Sequence, residues 1–302
     1  RGPAIEALVE AVNAALGADV YDWADPGAEF VGDDVIATAF IYDTTTTRLA
    51  PGTSVEVLDD SDLGTPGIPA FPNGVFDGDS TNRASLAASF EEIDSGEVFT
   101  AAVNHFKSKG SVNAAPGNAA QGDGQGNNNA LRLQAAEALD AWLDTDPTGA
   151  GDGDVLILGD LNAYAREDPI RFLEGEGYTD LVRGFTGADA SSFVFSGQKG
   201  TLDYAMASED LFGQVTGAAD WAINSPEPDA LDYNLDFSRD PALFSADDAF
   251  RASDHDPVIV GLSLGDGAPA APAGVLRGTG RDHLIVSGNN TTYLGLGGED
   301  TY

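Results

Sequence analysis

DVLILGDLNAYAREDP, residues 154–169, is the stretch on which the fold turns. Val155 to Leu158 are apolar without alternation, and the run is too short for a helix, so it reads as a strand covered on both faces. Asp160 and Asn162 leave that strand at its C-terminal end, where α/β sheets build their sites. A helix is expected to start near Asp168. Upstream, ALRLQAAEALDAWLDT (130–145) places Leu131, Ala135, Leu139 and Trp142 on one helical face. Further upstream, RASLAASFEEI (83–93) and EVFTAAVNHFK (97–107) read as paired strands, as do DVIATAFIYD (34–43) and TSVEVLD (53–59). Downstream, TLDYAMAS (201–208) and PVIVGLSL (257–264) are two more strands. The opening RGPAIEALVEAVNAALG is an amphipathic helix with Ile5, Leu8, Val9, Val12 and Leu16 in one stripe. Residues 59–82 and 108–129, rich in Asp, Gly, Pro and Asn, are loops. Strands and helices alternating through residue 264 predict one mixed α/β sandwich.

The composition bounds what such a domain meets. The 302 residues carry a formal charge of −36, with 36 Asp against 14 Glu and only three lysines, Lys107, Lys109 and Lys199. With 42% hydrophobic residues a sizeable core is available and disorder is excluded for the bulk of the chain. An acidic surface of this kind stays soluble at high salt, where screening removes self-repulsion, and a salt-rich habitat is one expectation. An acidic secreted protein bathed in divalent cations is the other. Cysteine is missing, so disulfides, thiolate catalysis and Cys-based zinc sites are excluded. No run approaches the ~20 apolar residues of a membrane span. Polyanions are repelled overall, so any phosphate chemistry needs a local exception. Lys107 and Lys109 beside His105, in VNHFKSKG (103–110), have the composition of one.

After residue 264 the sequence changes character. GDGAPAAPAG (265–274) is a Gly/Ala/Pro linker. In the remainder, GTGRDHLI and LGLGGEDTY put Asp282 and Asp300 eighteen residues apart, each with Gly two positions earlier. The spacing is two nine-residue periods and resembles the calcium-binding repeats of secreted RTX-type proteins, which implies Ca²⁺ at Asp282 and Asp300. A chance Gly-rich tail is the competing reading. The expected organisation is a catalytic domain over 1–264, a linker over 265–274 and the start of a repeat region over 275–302.

Polar groups at strand ends carry the chemistry. Asp160 and Asn162 follow one strand, His105 ends another, and Asp254, His255 and Asp256 precede a third. Asp203 sits inside a strand pattern between Leu202 and Tyr204, where a charge is costly unless paired. Singly, each has a bland reading: Asp160 as a turn or helix cap, Asp254 as a turn residue before Pro257, His105 as a satisfied edge histidine. Together they suit hydrolysis of a phosphodiester, which needs a base for water, a cation or proton at the leaving oxygen, and donors around phosphorus.

The order VNHFKSKG, GDLNAYAREDP, TLDYAMAS, SDHDPVIVGL resembles the endonuclease/exonuclease/phosphatase superfamily, the DNase I-like fold. The likeness spans roughly residues 5–264. DGQGNNNALR and SPEPDALDYN narrow it toward bacterial extracellular nucleases. The resemblance implies a four-layer sandwich of two mixed β-sheets flanked by helices. It makes His255 the base that activates water and Asp203 the carboxylate that orients it. Asp160 would assist at the leaving oxygen or the attacking water, and Asn162 and His105 would hold phosphate oxygens. Arg83 would contact phosphate, and Asp254 would join a Mg²⁺ or Mn²⁺ site. Apart from the resemblance, the rare Lys107 and Lys109 read as the rim where a phosphate backbone approaches, or as a plain offset to nearby carboxylates. Asp34 is expected to pair with His105, and Tyr164 reads as a packed aromatic or a groove contact.

The likeness departs at the start. The family's principal metal ligand is a Glu on a strand just before the first helix, and Glu6 and Glu10, on that helix, are no substitutes. The Glu is therefore expected upstream of Arg1, with further domains beyond both ends, and residues 1–302 alone are expected to bind metal poorly. The function implied is a metal-dependent nuclease, extracellular or at the cell surface, acting on DNA, with RNA or nucleotides as further substrates. A retired catalytic domain used as a surface module, or a lipid phosphodiesterase with an exposed aromatic loop, are the alternatives. Phe193, Phe195 and Trp221 are uncommitted aromatics for such a loop.

Overall fold

The computed structural model describes residues 2–28, 31–231, 234–235, 239–243, 251–265, 284–285 and 293–294. The elements run α1 (Gly2–Leu16), β1 (Tyr21–Trp23), β2 (Ile41–Asp43), β3 (Thr47–Leu49), β4 (Glu56–Leu58), β5 (Ser85–Glu92), β6 (Val98–His105), α2 (Asn129–Leu143) and β7 (Val155–Asp160). They continue with α3 (Asp168–Gly175), β8 (Thr179–Asp180), α4 (Leu181–Thr186), β9 (Phe193–Phe195), β10 (Gln198–Gly200), β11 (Asp203–Ala207), α5 (Glu209–Phe212), β12 (Val215–Asp220) and β13 (Val258–Leu262). A short pair, β14 (Leu284–Ile285) with β15 (Tyr293–Leu294), lies in the tail. Asp282, Asp300 and all of the expected repeat region except 284–285 and 293–294 lie outside the described residues, as does nearly all of the 265–274 linker.

The centre is a seven-stranded mixed sheet in the order β3-β5-β6-β7-β11-β8, with β4 also on β5. Only β6 and β7 run parallel, joined by the crossover through α2 that a parallel pair requires. The 154–160 strand is covered on both sides, as its apolar run predicts. On one face Ile157, Ala87, Ala102 and Met206 pack against Ala135, Leu139 and Trp142 of α2 and Ile170 and Leu173 of α3. On the other, Leu156, Ala205 and Ala207 meet Leu181, Val182 and Phe185 of α4, with Val215, Ala218, Val258 and Val260 of the β12–β13 ribbon. Small alanines in the strands let these layers approach closely, and each fully buried Leu or Ile contributes about 1.5–3 kcal/mol.

The second mixed sheet of the sequence expectation has a different form. Among the described residues, that face is covered by two separate antiparallel pairs, β1–β2 and β12–β13. The β1–β2 pair lays Ala24, Phe40 and Tyr42 over Phe90 and Ala101. The strand predicted over 34–43 shrinks to Ile41–Asp43. Asp34 accepts a hydrogen bond from the Ile36 N–H (3.3 Å), an Asx-type bend that competes with extended pairing. In α1 the apolar stripe is only half used: Val9 is buried while Leu8 and Leu16 are exposed. The inward side also holds Asn13, which accepts from the Val20 and Tyr21 N–H groups and fixes the turn into β1.

Candidate active site

Strand register gathers the site. In the parallel pair His105 stands opposite Asp160, and in the antiparallel pair Asp203 stands opposite Asp160. The last residue of β6, the last of β7 and the first of β11 therefore share one row across three adjacent strands. Gly159, just before Asp160, has φ +119, and a Cβ there would lie 2.0 Å from the Asn104 carbonyl oxygen. Only glycine allows β7 to come this close to β6 beside the row.

His255 arrives from the segment before β13, bridged to Phe193. Its Nδ1 lies 2.6 Å from Asp203 Oδ2. Asp203 is itself held by Ser192, whose Oγ accepts from the Leu202 and Asp203 N–H groups. The loop around His255 is tied by the buried Asp256, which accepts from the Asn224 and Ser225 N–H groups, and by Asn224 Nδ2 donating to the His255 carbonyl. Asp160 accepts from both the N–H and the side-chain amide of Asn162, each at 2.8 Å. Asn162 also donates to the Phe106 carbonyl (3.0 Å), so both amide hydrogens are spent inside the protein. That arrangement holds Asn162 in a left-handed conformation (φ 49). His105 Nε2 lies 3.5 Å from Asp160 Oδ2.

The two histidines are driven in opposite directions. Burial pulls His255 down, but the hydrogen bond and charge of Asp203, with Asp160 and Asp254 behind it, outweigh that and raise it to about 9. Burial, with the nearby positive charges of Arg83 and His255, lowers His105 to about 4, against the opposing pull of Asp203 and Asp34. Burial and the adjacent Asp203 carboxylate raise Asp160 well above the usual carboxylate range.

The expected phosphate-side cations are all engaged within the chain. Arg83 pairs with Asp34 (2.9 Å). This corrects the expectation that Asp34 partners His105: Asp34 meets the guanidinium, a permanent cation, instead of the neutral imidazole. Lys107 is buried, its ammonium 3.2 Å from Ser111 Oγ. Lys109 donates to the Asn162 carbonyl (2.6 Å), pairs with Glu167 (2.9 Å) and lies 4.6 Å over the Tyr164 ring. Glu167 also meets the fully buried Arg132, which donates to the Lys107, Asn127 and Gln125 carbonyls and so pins the 106–128 loop. Glu167, Arg132, Ser192 and Asn224 had no place among the sequence candidates. Glu167 and Arg132 did lie inside quoted motifs, one before the α3 proline and one at the end of DGQGNNNALR. The other two, Ser192 and Asn224, occupy plain loop contexts that carry no local signal.

Asp160, Asp203 and His255 offer ligand atoms all within 4.8 Å of one another. Two carboxylates and an imidazole suit a hard or borderline divalent cation such as Mg²⁺ or Mn²⁺. Asp254 adjoins His255 in sequence but stands outside this group.

Residues 38–255 match the Endonuclease/Exonuclease/phosphatase family. Among solved structures, the fold is similar to that of a mannosyl-6-phosphatase from Bacteroides thetaiotaomicron, at 14% identity and TM-score 0.52, covering 85% of this chain and 81% of that one. It is also similar to an endonuclease/exonuclease/phosphatase family protein from the same organism, at 15% identity and TM-score 0.50, covering 83% of this chain and 78% of that one. No curated protein matches.

Proposed function

The chain belongs to the Endonuclease/Exonuclease/phosphatase family, and on that premise we propose that it is a metal-dependent phosphodiesterase that cleaves DNA outside the cell. The observation that carries the hydrolytic reading is the His255–Asp203 pair at 2.6 Å with Asp160 beside it. Asp203 holds Nδ1–H and leaves Nε2 as the ring nitrogen free to take a proton. Water attacks phosphorus while its proton passes to His255 Nε2; the bond to the leaving oxygen breaks, and that oxygen takes a proton. Asp160, raised by burial and by Asp203, is the nearby carboxyl able to give it. The neutral His105 donates a hydrogen bond to a phosphate oxygen, and Asn162 fixes the Asp160 carboxyl between its own N–H and amide. Bound against the Asp160 and Asp203 carboxylates, Mg²⁺ or Mn²⁺ would supply positive charge against the developing phosphorane oxygens, leaving His255 Nε2 to the water proton.

DNA as substrate is favoured by the ordered nuclease-like motifs, with RNA or nucleotides as further substrates. Cleavage of supercoiled plasmid by the full-length protein in the presence of Mg²⁺ or Mn²⁺ tests the proposal. We expect cleavage that EDTA abolishes and that His255→Ala slows by about 10²–10⁴-fold, the usual weight of a general base. An uncut plasmid, or a His255→Ala protein as fast as the parent, would overturn it. Turnover of mannose 6-phosphate with the plasmid left intact would reassign the substrate to a phosphomonoester.

A further inference from the structure

The β9–β10 hairpin stands beside His255 and presents aromatic rings that the hydrolytic step does not use. Phe193 is bridged to His255, and their rings lie 4.6 Å apart at 35°. Phe195, two residues on and hence on the same face, stacks on Phe193 at 6.4 Å with the planes only 13° apart. It is 65% exposed. Across the hairpin Gly200 is the register partner of Phe193. A Cβ on Gly200 would fall 2.5 Å from the Tyr164 ring, so Tyr164 occupies the space where a residue 200 side chain would stand. Tyr164, Phe193 and Phe195 therefore share one face of the hairpin, and the row begins at the imidazole.

We propose that this row is a stacking platform for the nucleobases flanking the scissile phosphate, which favours nucleic acid that is single-stranded or locally unpaired, as in a supercoiled plasmid, over fully paired duplex. The proposal rests on the phosphodiesterase reading of the His255 site. Its physical reason lies in the charge. A protein at −36 gains little long-range attraction for a phosphate backbone. Base stacking is insensitive to that charge and contributes about 1–3 kcal/mol per base. A ring spaced outward from the catalytic imidazole receives a base whose own phosphate sits at the site. A lipid surface fits less well, because the hairpin tip is polar, Ser196-Gly197-Gln198 followed by Lys199, and the rings lie along its face.

Binding is measured by fluorescence anisotropy with end-labelled single-stranded hexanucleotides in EDTA, so that stacking is read without cleavage. One probe carries all its bases and the other carries abasic sugars at the central positions. The expected result is a Kd at least about 5-fold lower for the base-bearing probe, the equivalent of one stacked base. Phe195→Ala should erase that difference and Phe195→Trp should keep it. Equal affinity for the two probes, or an equal loss on both with Phe195→Ala, would overturn the platform. So would Phe195-dependent binding to phosphatidylcholine vesicles without base preference, which would assign the rings to a membrane. Phe195 is exposed, so its replacement leaves the core intact. The plasmid assay above reads the hydrolase proposal separately, and either can fail while the other stands.

Discussion

His255 and His105 share one site, yet their surroundings give them opposite protonation. With His255 raised to about 9, the imidazole is cationic at neutral pH before a cation binds. A divalent ion beside Asp160 and Asp203 would compete with that proton and lower the value. NMR titration should therefore show the His255 pKa falling on addition of Mg²⁺, and falling toward the ordinary 6.5 in Asp203→Asn. A value unmoved by that substitution would mean that Asp203 is not what holds the proton. Stability follows the same shifts. The raised His255 contributes stability fully below about 6.5, and this is lost as pH rises through about 9. The depressed His105 works the other way: its contribution is present above 6.5 and is lost as pH falls toward about 4. Urea unfolding at pH 7 and pH 4.5 should thus show a smaller pH penalty for His105→Asn than for the parent, and an equal penalty would contradict the assignment. His105, Asp160, Asp203 and His255 were legible because each is an ionisable residue at the end of, or just before, an apolar strand. Their supports were not, since Ser192 and Asn224 act through backbone contacts that no local pattern encodes.

At the scale of elements, the loop between β6 and α2 shows how a segment without secondary structure is held. Its composition marks 108–129 as a loop, and nothing in it announces that Arg132 gathers three of its carbonyls. Glu167 neutralises Arg132 and Lys109 together, so Glu167→Gln leaves two buried or half-buried cations without their carboxylate. We expect a loss of about 3–5 kcal/mol in urea unfolding, as for other broken buried pairs. Faster protease cleavage within 108–128 should accompany it. A loss within about 0.5 kcal/mol, with the loop still protected, would show that the carboxylate is dispensable. Sequence reasoning worked for β5, β6, α2, β7 and β11, where the hydrophobic period is long and regular. It overread 34–40, where Asp34 turns the chain aside and joins Arg83.

At the scale of the whole molecule, charge is the dominant fact. A net −36 spread over the chain repels itself, and screening relieves this. Thermal unfolding should move upward by several degrees between 20 mM and 1 M NaCl, and a flat or falling Tm would mean that the acidic surface is already neutralised by structure. The arrangement of the rare amines has a practical side. Lys107 is buried, and Lys109 is held by Glu167 and the Asn162 carbonyl, which leaves Lys199 openly exposed on the β9–β10 hairpin. With no cysteine available for thiol chemistry, a gentle acylating reagent becomes a natural single-position tag: apart from the chain terminus, it reacts first at the hairpin, and a fluorophore seated there would report each ligand arriving at the neighbouring rings.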